Sequence, residues 1–482
     1  MTGRGKAGTG VDAGEGTGSE PPPGTVRPGP DRRSRRAAAL ASAVLFAAVI
    51  AVIAVTTPWH PLPGTVPGGA VPVDPARDFG PAEIARSRAF DAALAPRAYT
   101  GLAVGLGVVL VLGLTRLGSG LIARCTARLR RRPLRVVVAV VVLTTVLHLA
   151  SLPFGVWGEA VLRRYGLSTQ SWPAWLFDDV KSLGFTWLIY SIALLLLYWA
   201  LGRFPRYWWT GAAAGAFALV VAASFLYPVV FEPAFNDFRP LPQGRLRADL
   251  LAMARRDGVP VKDVLVADAS RRTTSLNAYV SGFGSTRRIV IYDTLLRNTP
   301  PARVEAIVAH ELGHAKNDDV LHGTLIGALG VSAAVCLLHL LLSSPRLLRR
   351  SGVVPDGDDG QGGDEGHGGG EPPEGNPAAD PRSIALLLAA VAVATQVGMP
   401  VQNLVSRHIE ARADAHSLDL TRDPATFASM QHELSVRNIS DLSPDAIERF
   451  MWTSHPSAPE RIAMARDWAR QHHVPEPPPQ RR

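Results

Sequence analysis

Cysteine is almost missing from this sequence: its 482 residues include two, Cys125 and Cys336. One falls in a basic stretch and the other inside an apolar run, so neither a disulfide framework nor a cysteine-built zinc site is available. The long apolar runs also lack the paired broken helices and repeated halves that many transporters show. Apart from Arg116, charge is absent from these runs and gathers between them. The formal net charge is +9, but the arginines lie mostly beside apolar runs. That placement suits orientation in a bilayer better than nucleic-acid binding, and no nucleic-acid partner is expected.

What the sequence does contain is a series of apolar runs long enough to cross a hydrocarbon core. They span roughly 37–57, 99–123, 136–157, 183–201, 207–231, 321–342 and 384–401, about seven in all. Trp157, Trp172, Trp175, Trp208, Trp209 and Tyr227 cluster near their ends, as at a membrane interface. The second run is glycine-rich and interrupted by Arg116. Ahead of the first run, residues 1–36 are rich in Gly, Pro and charge and end in RRSRR; this reads as a disordered basic tail and topology anchor. A signal peptide fits less well, because the tail is too long and the following apolar run exceeds a normal h-region.

The remaining organisation follows from composition. Residues 37–231 carry helices one to five. Residues 232–320 read as a polar α+β domain, with a helix at Leu246–Arg256 stopping at Gly258, a strand at Val264–Ala267, and a hairpin pairing Ala278–Ser281 with Arg288–Tyr292 around Gly282–Ser285. Helix six covers 321–342, a Gly- and Asp-rich flexible insertion 343–382, helix seven 383–402, and a helical C-terminal part 403–473. In that part SAPE (Ser457–Glu460) forms a capping box. A Pro-rich frayed tail closes the chain at 474–482.

One stretch carries chemistry. VEAIVAHELGHAKNDD, Val304–Asp319, places His310 and His314 one turn apart on a helix, so both imidazoles reach one metal ion. Glu311 is placed to deprotonate a water in the open position of such a metal. Thr299 as cap, Pro300 in the first turn, and the stripe Val304, Ile307, Val308 and Leu312 make the helix. This short pattern occurs by chance in long chains and leaves the metal one ligand short. About a hundred residues later, NLVSRHIEARADAHS (Asn403–Ser417) puts Glu410 and Asp414 one turn apart. Glu410 would complete a two-histidine, one-glutamate zinc set, and Asp414 would accept the free ring N–H of a ligating histidine. Taken alone, that helix could equally be a solvent-exposed charged one.

HELGH at His310–His314 and NLVSRHIEARAD at Asn403–Asp414 resemble the integral-membrane CAAX prenyl proteases, zinc metallopeptidases of gluzincin type. FEPAFNDFRPL (Phe231–Leu241), SLNAYVSGFG (Ser275–Gly284) and SHPSAPERI (Ser454–Ile462) support the resemblance. It implies a mainly α polytopic fold, about seven membrane helices around a chamber, with a small zincin-like α+β domain. It also implies one Zn2+ on His310, His314 and Glu410, Glu311 as general base and then acid, and His455 stabilising the oxyanion. Asn277 and Ala278 would lie on an edge strand beside a peptide or protein substrate. The front tail and the acidic insertion depart from the shared pattern. Abundant Arg, Ala, Gly and Pro suggest a GC-rich bacterial source, where prenylated substrates are not expected, so peptide-bond hydrolysis carries over and the substrate does not. Membrane-protein processing or quality control is one such role.

Two matters stay open in the sequence. Arginines at 32–36, 116–135 and 346–350 lie on one side by alternation, which would put the catalytic part of a multi-pass cell-membrane protein outside, whereas the resemblance favours a cytoplasmic site. The alternative function is a transporter or channel with a structural or absent metal, based on the polar residues His148, His339 and Gln396 within spans. A peptidase-derived scaffold without catalysis is a third reading, opposed by the intact Glu311.

Overall fold

A computed structural model describes residues 32–354 and 376–481. The front tail up to residue 31 and the middle of the insertion, 355–375, lie outside the described residues. Seven helices are long and apolar enough to span a membrane. The first is α1 (Arg32–Thr56); a short α2 (Pro75–Asp78) precedes α3 (Pro81–Leu114). After α4 (Arg116–Thr126) come α5 (Arg132–Arg164), α6 (Trp172–Arg203) and α7 (Trp208–Leu226). The fifth span continues from α7 through a π turn at Tyr227–Phe231 into α8 (Glu232–Phe235).

The expected second span, 99–123, is divided differently. Helix α3 starts at Pro81 with Glu83 accepting the Gly80 N–H at 2.8 Å, and it ends before Thr115. Thr115 then caps α4, its Oγ1 accepting the Leu117 N–H at 3.3 Å. The polar first half of α3 hid its start, and a one-residue cap inside an apolar run hid its end.

The polar α+β part begins with β1 (Phe238–Pro240), α9 (Arg245–Arg256), β2 (Asp263–Ala267), β3 (Ala278–Ser281) and β4 (Arg288–Tyr292). They form one sheet in the order β1-β2-β4-β3; β2 and β4 are parallel and the outer pairs antiparallel, which leaves β3 at an edge. The expected hairpin is present. Strand β1, only three residues long and containing Pro240, was not legible in the sequence. Next come α10 (Asp293–Asn298) and α11 (Pro301–Lys316), whose Val304, Val308 and Leu312 are fully buried beneath the sheet. The expected caps shift by one: Pro300 is the N-cap and Pro301 opens the helix, while the buried Thr299 hydroxyl has no partner among the described residues.

Helix α12 (Asp319–Leu342) re-enters the membrane and α13 (Pro345–Arg350) follows. Then α14 (Ile384–Thr421) runs 38 residues, carrying the last span directly into the polar part. Helices α15 (Pro424–Asn438), α16 (Ala446–Met451) and α17 (Ala458–Gln471) complete it. The insertion expected at 343–382 is thus folded at both ends, with Leu348 and Ala378 buried. The tail beyond residue 474 is not frayed. Arg466 donates to the carbonyl of Pro477 at 3.1 Å, and the same buried guanidinium pairs with Asp78 at 2.5 Å. A cation buried to 1 % exposure needs these acceptors, and the proline-rich segment supplies them.

Small residues set the helix contacts. A Cβ on Gly113 would lie 2.6 Å from the Ala385 carbonyl, so α3 and α14 meet backbone to backbone. Between α1, α7 and α12, the Ser34 hydroxyl donates to the Arg206 carbonyl at 2.7 Å and meets His339 Nε2 at 3.2 Å. His148 bonds Asp179 at 2.9 Å across α5 and α6. These two intramembrane histidines are therefore engaged in helix packing. Gln396 does not share that role, since its buried Oε1 has no partner among the described residues.

Candidate metal centre

Two helices build the site by crossing closely. Gly313 sits at the crossing, where a Cβ would approach His416 Cβ to 3.0 Å and Ala413 Cα to 3.2 Å. Any larger residue would separate α11 from α14. The crossing brings Glu410 against the histidine pair: His310 Nε2 lies 3.2 Å from Glu410 Oε2, and His314 Nε2 lies 3.6 Å from Glu410 Oε1. The two Nε2 atoms are 3.2 Å apart, and one ligand atom from each of the three residues falls within 4.8 Å of the others. Two imidazoles and a carboxylate converging in this way could hold a divalent ion, and the set suits zinc.

The far sides of both rings are tied down. His310 Nδ1 meets Asp414 Oδ1 at 2.9 Å, and Arg461 Nε donates to Asp414 Oδ2 at 2.7 Å. His314 Nδ1 meets Asp319 Oδ2 at 2.9 Å, and Arg412 pairs with Asp319 in turn. A carboxylate at Nδ1 fixes the proton there and leaves the Nε2 lone pair free for a metal. Asp414 was expected in this position. Asp319 and the two arginines were not: Asp319 and Arg412 fall inside the quoted stretches and Arg461 inside SHPSAPERI, but no spacing there assigns them these partners. The box itself is present, with Glu460 accepting the Ser457 N–H at 2.8 Å.

Protonation follows from these neighbours. Burial pulls the His310 imidazole down, but its bonds to Asp414 and Glu410 outweigh that and raise its pKa to about 10. Burial raises the Glu311 carboxyl above its ordinary value, opposed by His310 and His314. Desolvation lowers His455, with Glu410 acting in the other direction and Arg461 and His310 reinforcing the fall.

His455 Nε2 lies 3.2 Å from Glu410 Oε1, and its Nδ1 lies 2.8 Å from the Ser454 hydroxyl. The loop that carries it hangs from α14. Arg407 donates to the carbonyls of Arg449 (2.8 Å) and Thr453 (2.6 Å), and Asn403 to that of Met451 (2.6 Å). Asn403, Arg407, Glu410 and Asp414 recur every three or four residues along one face of that helix. A cavity of about 640 Å³ opens over these groups, lined by Asn277, Ala278, His310, Glu311, His314, Glu410, His455 and Arg461 among others. All eight expected site residues therefore border it or, for Asp414, sit directly behind it.

Both parts of the chain are similar to known proteins. Residues 240–469 match Peptidase family M48, and residues 97–237 match the five-helix N-terminal membrane part of CAAX prenyl proteases. The uncharacterized metalloprotease YhfN of Bacillus subtilis is 30% identical over 335 residues, covering 69% of this chain and 74% of that protein. CAAX prenyl protease 1 of Saccharomyces cerevisiae is 26% identical over 325 residues, 66% of this chain and 69% of that one. The crystal structure of S. mikatae Ste24p shares the fold, with a TM-score of 0.66 at 20% identity over 89% of this chain and 98% of the other.

Proposed function

Since the chain belongs to the M48 family of membrane-embedded metalloproteases, we propose that it is a zinc endopeptidase that cleaves extended peptide segments presented to its edge strand. The observation that supports this most is the convergence of His310, His314 and Glu410 beneath one cavity. When bound there, a zinc ion would supply Lewis acidity, making water a nucleophile near neutral pH and polarising the scissile carbonyl. His310, His314 and Glu410 would hold it, with Asp414 and Asp319 orienting the two rings.

Glu311 is the base in this reading. Its raised carboxyl pKa brings it closer to that of an acid–base catalyst working near neutrality. It takes a proton from the attacking water and returns it to the departing amine. His455, held below the usual imidazole value, is neutral at pH 7. With the Glu410 carboxylate 3.2 Å away as an acceptor, its Nε2 carries the hydrogen and can donate to the oxygen that becomes negative during attack. Ala278, beside Asn277 on the sheet edge, offers backbone groups to an extended substrate.

The test is Glu311→Gln with unfolded casein as substrate. Metal content should equal that of the wild type while cleavage falls about 10²–10⁴-fold. Cleavage at the wild-type rate would refute Glu311 as the base. The natural substrate we take to be a membrane protein or its released peptide, reached from the bilayer that surrounds the helices.

A further inference from the structure

Edge strand β3 is blocked at one end by a side chain that imitates a peptide. The Tyr292 N–H donates to the Asn277 carbonyl at 3.0 Å, which sets the phase of the β3–β4 ladder. In an antiparallel ladder alternate residues bond inward, so Asn277, Tyr279 and Ser281 turn their backbone groups to β4. The groups of Ala278 and Val280 face the open edge. Leu276 belongs to the same outward set, but its groups are taken. Its N–H donates to Asn438 Oδ1 at 2.8 Å, and its carbonyl accepts from Asn438 Nδ2 at 3.1 Å. Both bonds fit one orientation of the amide only, and together they reproduce the two-point pairing of a neighbouring strand residue.

Asn438 is held firmly where it does this. It ends α15, and the next residue, Ile439, adopts the left-handed conformation at φ 51°, which a β-branched residue rarely does. On the far side, the Ser440 N–H returns to the Ser435 carbonyl at 3.0 Å, and the Ser87 hydroxyl from α3 donates to the Ser440 carbonyl at 2.9 Å. Asn438 and Leu276 line the same cavity as Ala278, His310 and Glu311.

We propose that Asn438 is a register stop: its amide fills the Leu276 pairing position on the substrate-binding edge and limits how far an extended substrate continues past it. This rests on the reading of β3 as the strand that pairs with substrate. Antiparallel pairing is the more stable arrangement per residue, and it would direct the C-terminal side of the substrate toward Asn438. Asn438 would then be a specificity-determining residue, restricting the length of peptide accepted beyond the cut.

An ester scan of an internally quenched peptide, cleaved by the metal-loaded full-length chain, tests this. Each ester replaces one backbone N–H in turn. For the wild type, kcat/KM should fall about tenfold where the lost N–H faced the open carbonyl of Ala278 or Val280, two residues apart, since one hydrogen bond is removed. The next alternate position toward the C-terminus should be insensitive, because Asn438 occupies Leu276. In Asn438→Ala with unchanged metal content, that position should become sensitive and the C-terminal products should lengthen. Sensitivity at that position already in the wild type, or an Asn438→Ala scan and products identical to wild type, would overturn the stop. A wild-type scan with no alternating loss would instead overturn the reading of β3. If Asn438→Ala does not fold, the wild-type scan still decides.

Discussion

If His310 is a metal ligand as proposed, a proton and the metal would compete there for one nitrogen. The ring's pKa, raised to about 10 by Asp414 and Glu410, means that metal-free protein is protonated there at pH 7. Zinc uptake should therefore release a proton, and apparent affinity should rise as pH increases from about 6.5 toward 10. Calorimetry in buffers of different ionisation enthalpy measures the release; heats independent of buffer would contradict it. The neighbour acts by orientation. Asp414→Asn keeps the shape but weakens the acceptor at His310 Nδ1, and zinc affinity should fall about 10–100-fold in a competition titration with a chelator. In the proposed mechanism His455→Ala removes the donor to the developing charge and leaves His310, His314 and Glu410 in place. Its kcat should drop about 10²–10³-fold with metal content unchanged.

At the scale of elements, the site exists because α11 and α14 touch. Gly313→Ala would drive a methyl into His416 and the Ala413 backbone, an overpacking that costs about 1–3 kcal/mol. Both melting temperature and zinc affinity should fall, the second because Glu410 retreats with its helix; a variant with wild-type affinity would show that the crossing tolerates expansion. The histidine helix and the Glu410 helix were legible in sequence because each repeats its functional residues at helical spacing. Asp319 and Arg461 were not, because their partners lie on other elements and no local period marks them. The same limit explains the C-terminal segment. Its prolines read as a loose end, while the buried Asp78–Arg466 pair that anchors it joins residues almost four hundred positions apart. Asp78→Ala would leave Arg466 buried without its counter-ion and should destabilise the chain by about 3–5 kcal/mol, measured by denaturant unfolding.

For the whole molecule, seven helices among the described residues are long and apolar enough to cross a membrane, and if each crosses once, alternation sets the catalytic part opposite the arginine-rich loops. On the positive-inside rule we propose that those loops lie in the cytoplasm and the cavity outside, against the cytoplasmic site that the family resemblance implies. A tag inserted at Gly360 should be labelled only after the membrane is opened, and labelling of intact cells would reverse the assignment. The orientation decides which proteins can reach the cavity but not how they are cut. In the proposed function that depends on one ion, which His310 and His314 on one helix and Glu410 on another would share. Metal analysis of the purified chain beside His314→Ala and Glu410→Ala tests this most directly. The account predicts one zinc per wild-type chain and loss of most of it in each variant. Full zinc retained in Glu410→Ala would contradict it.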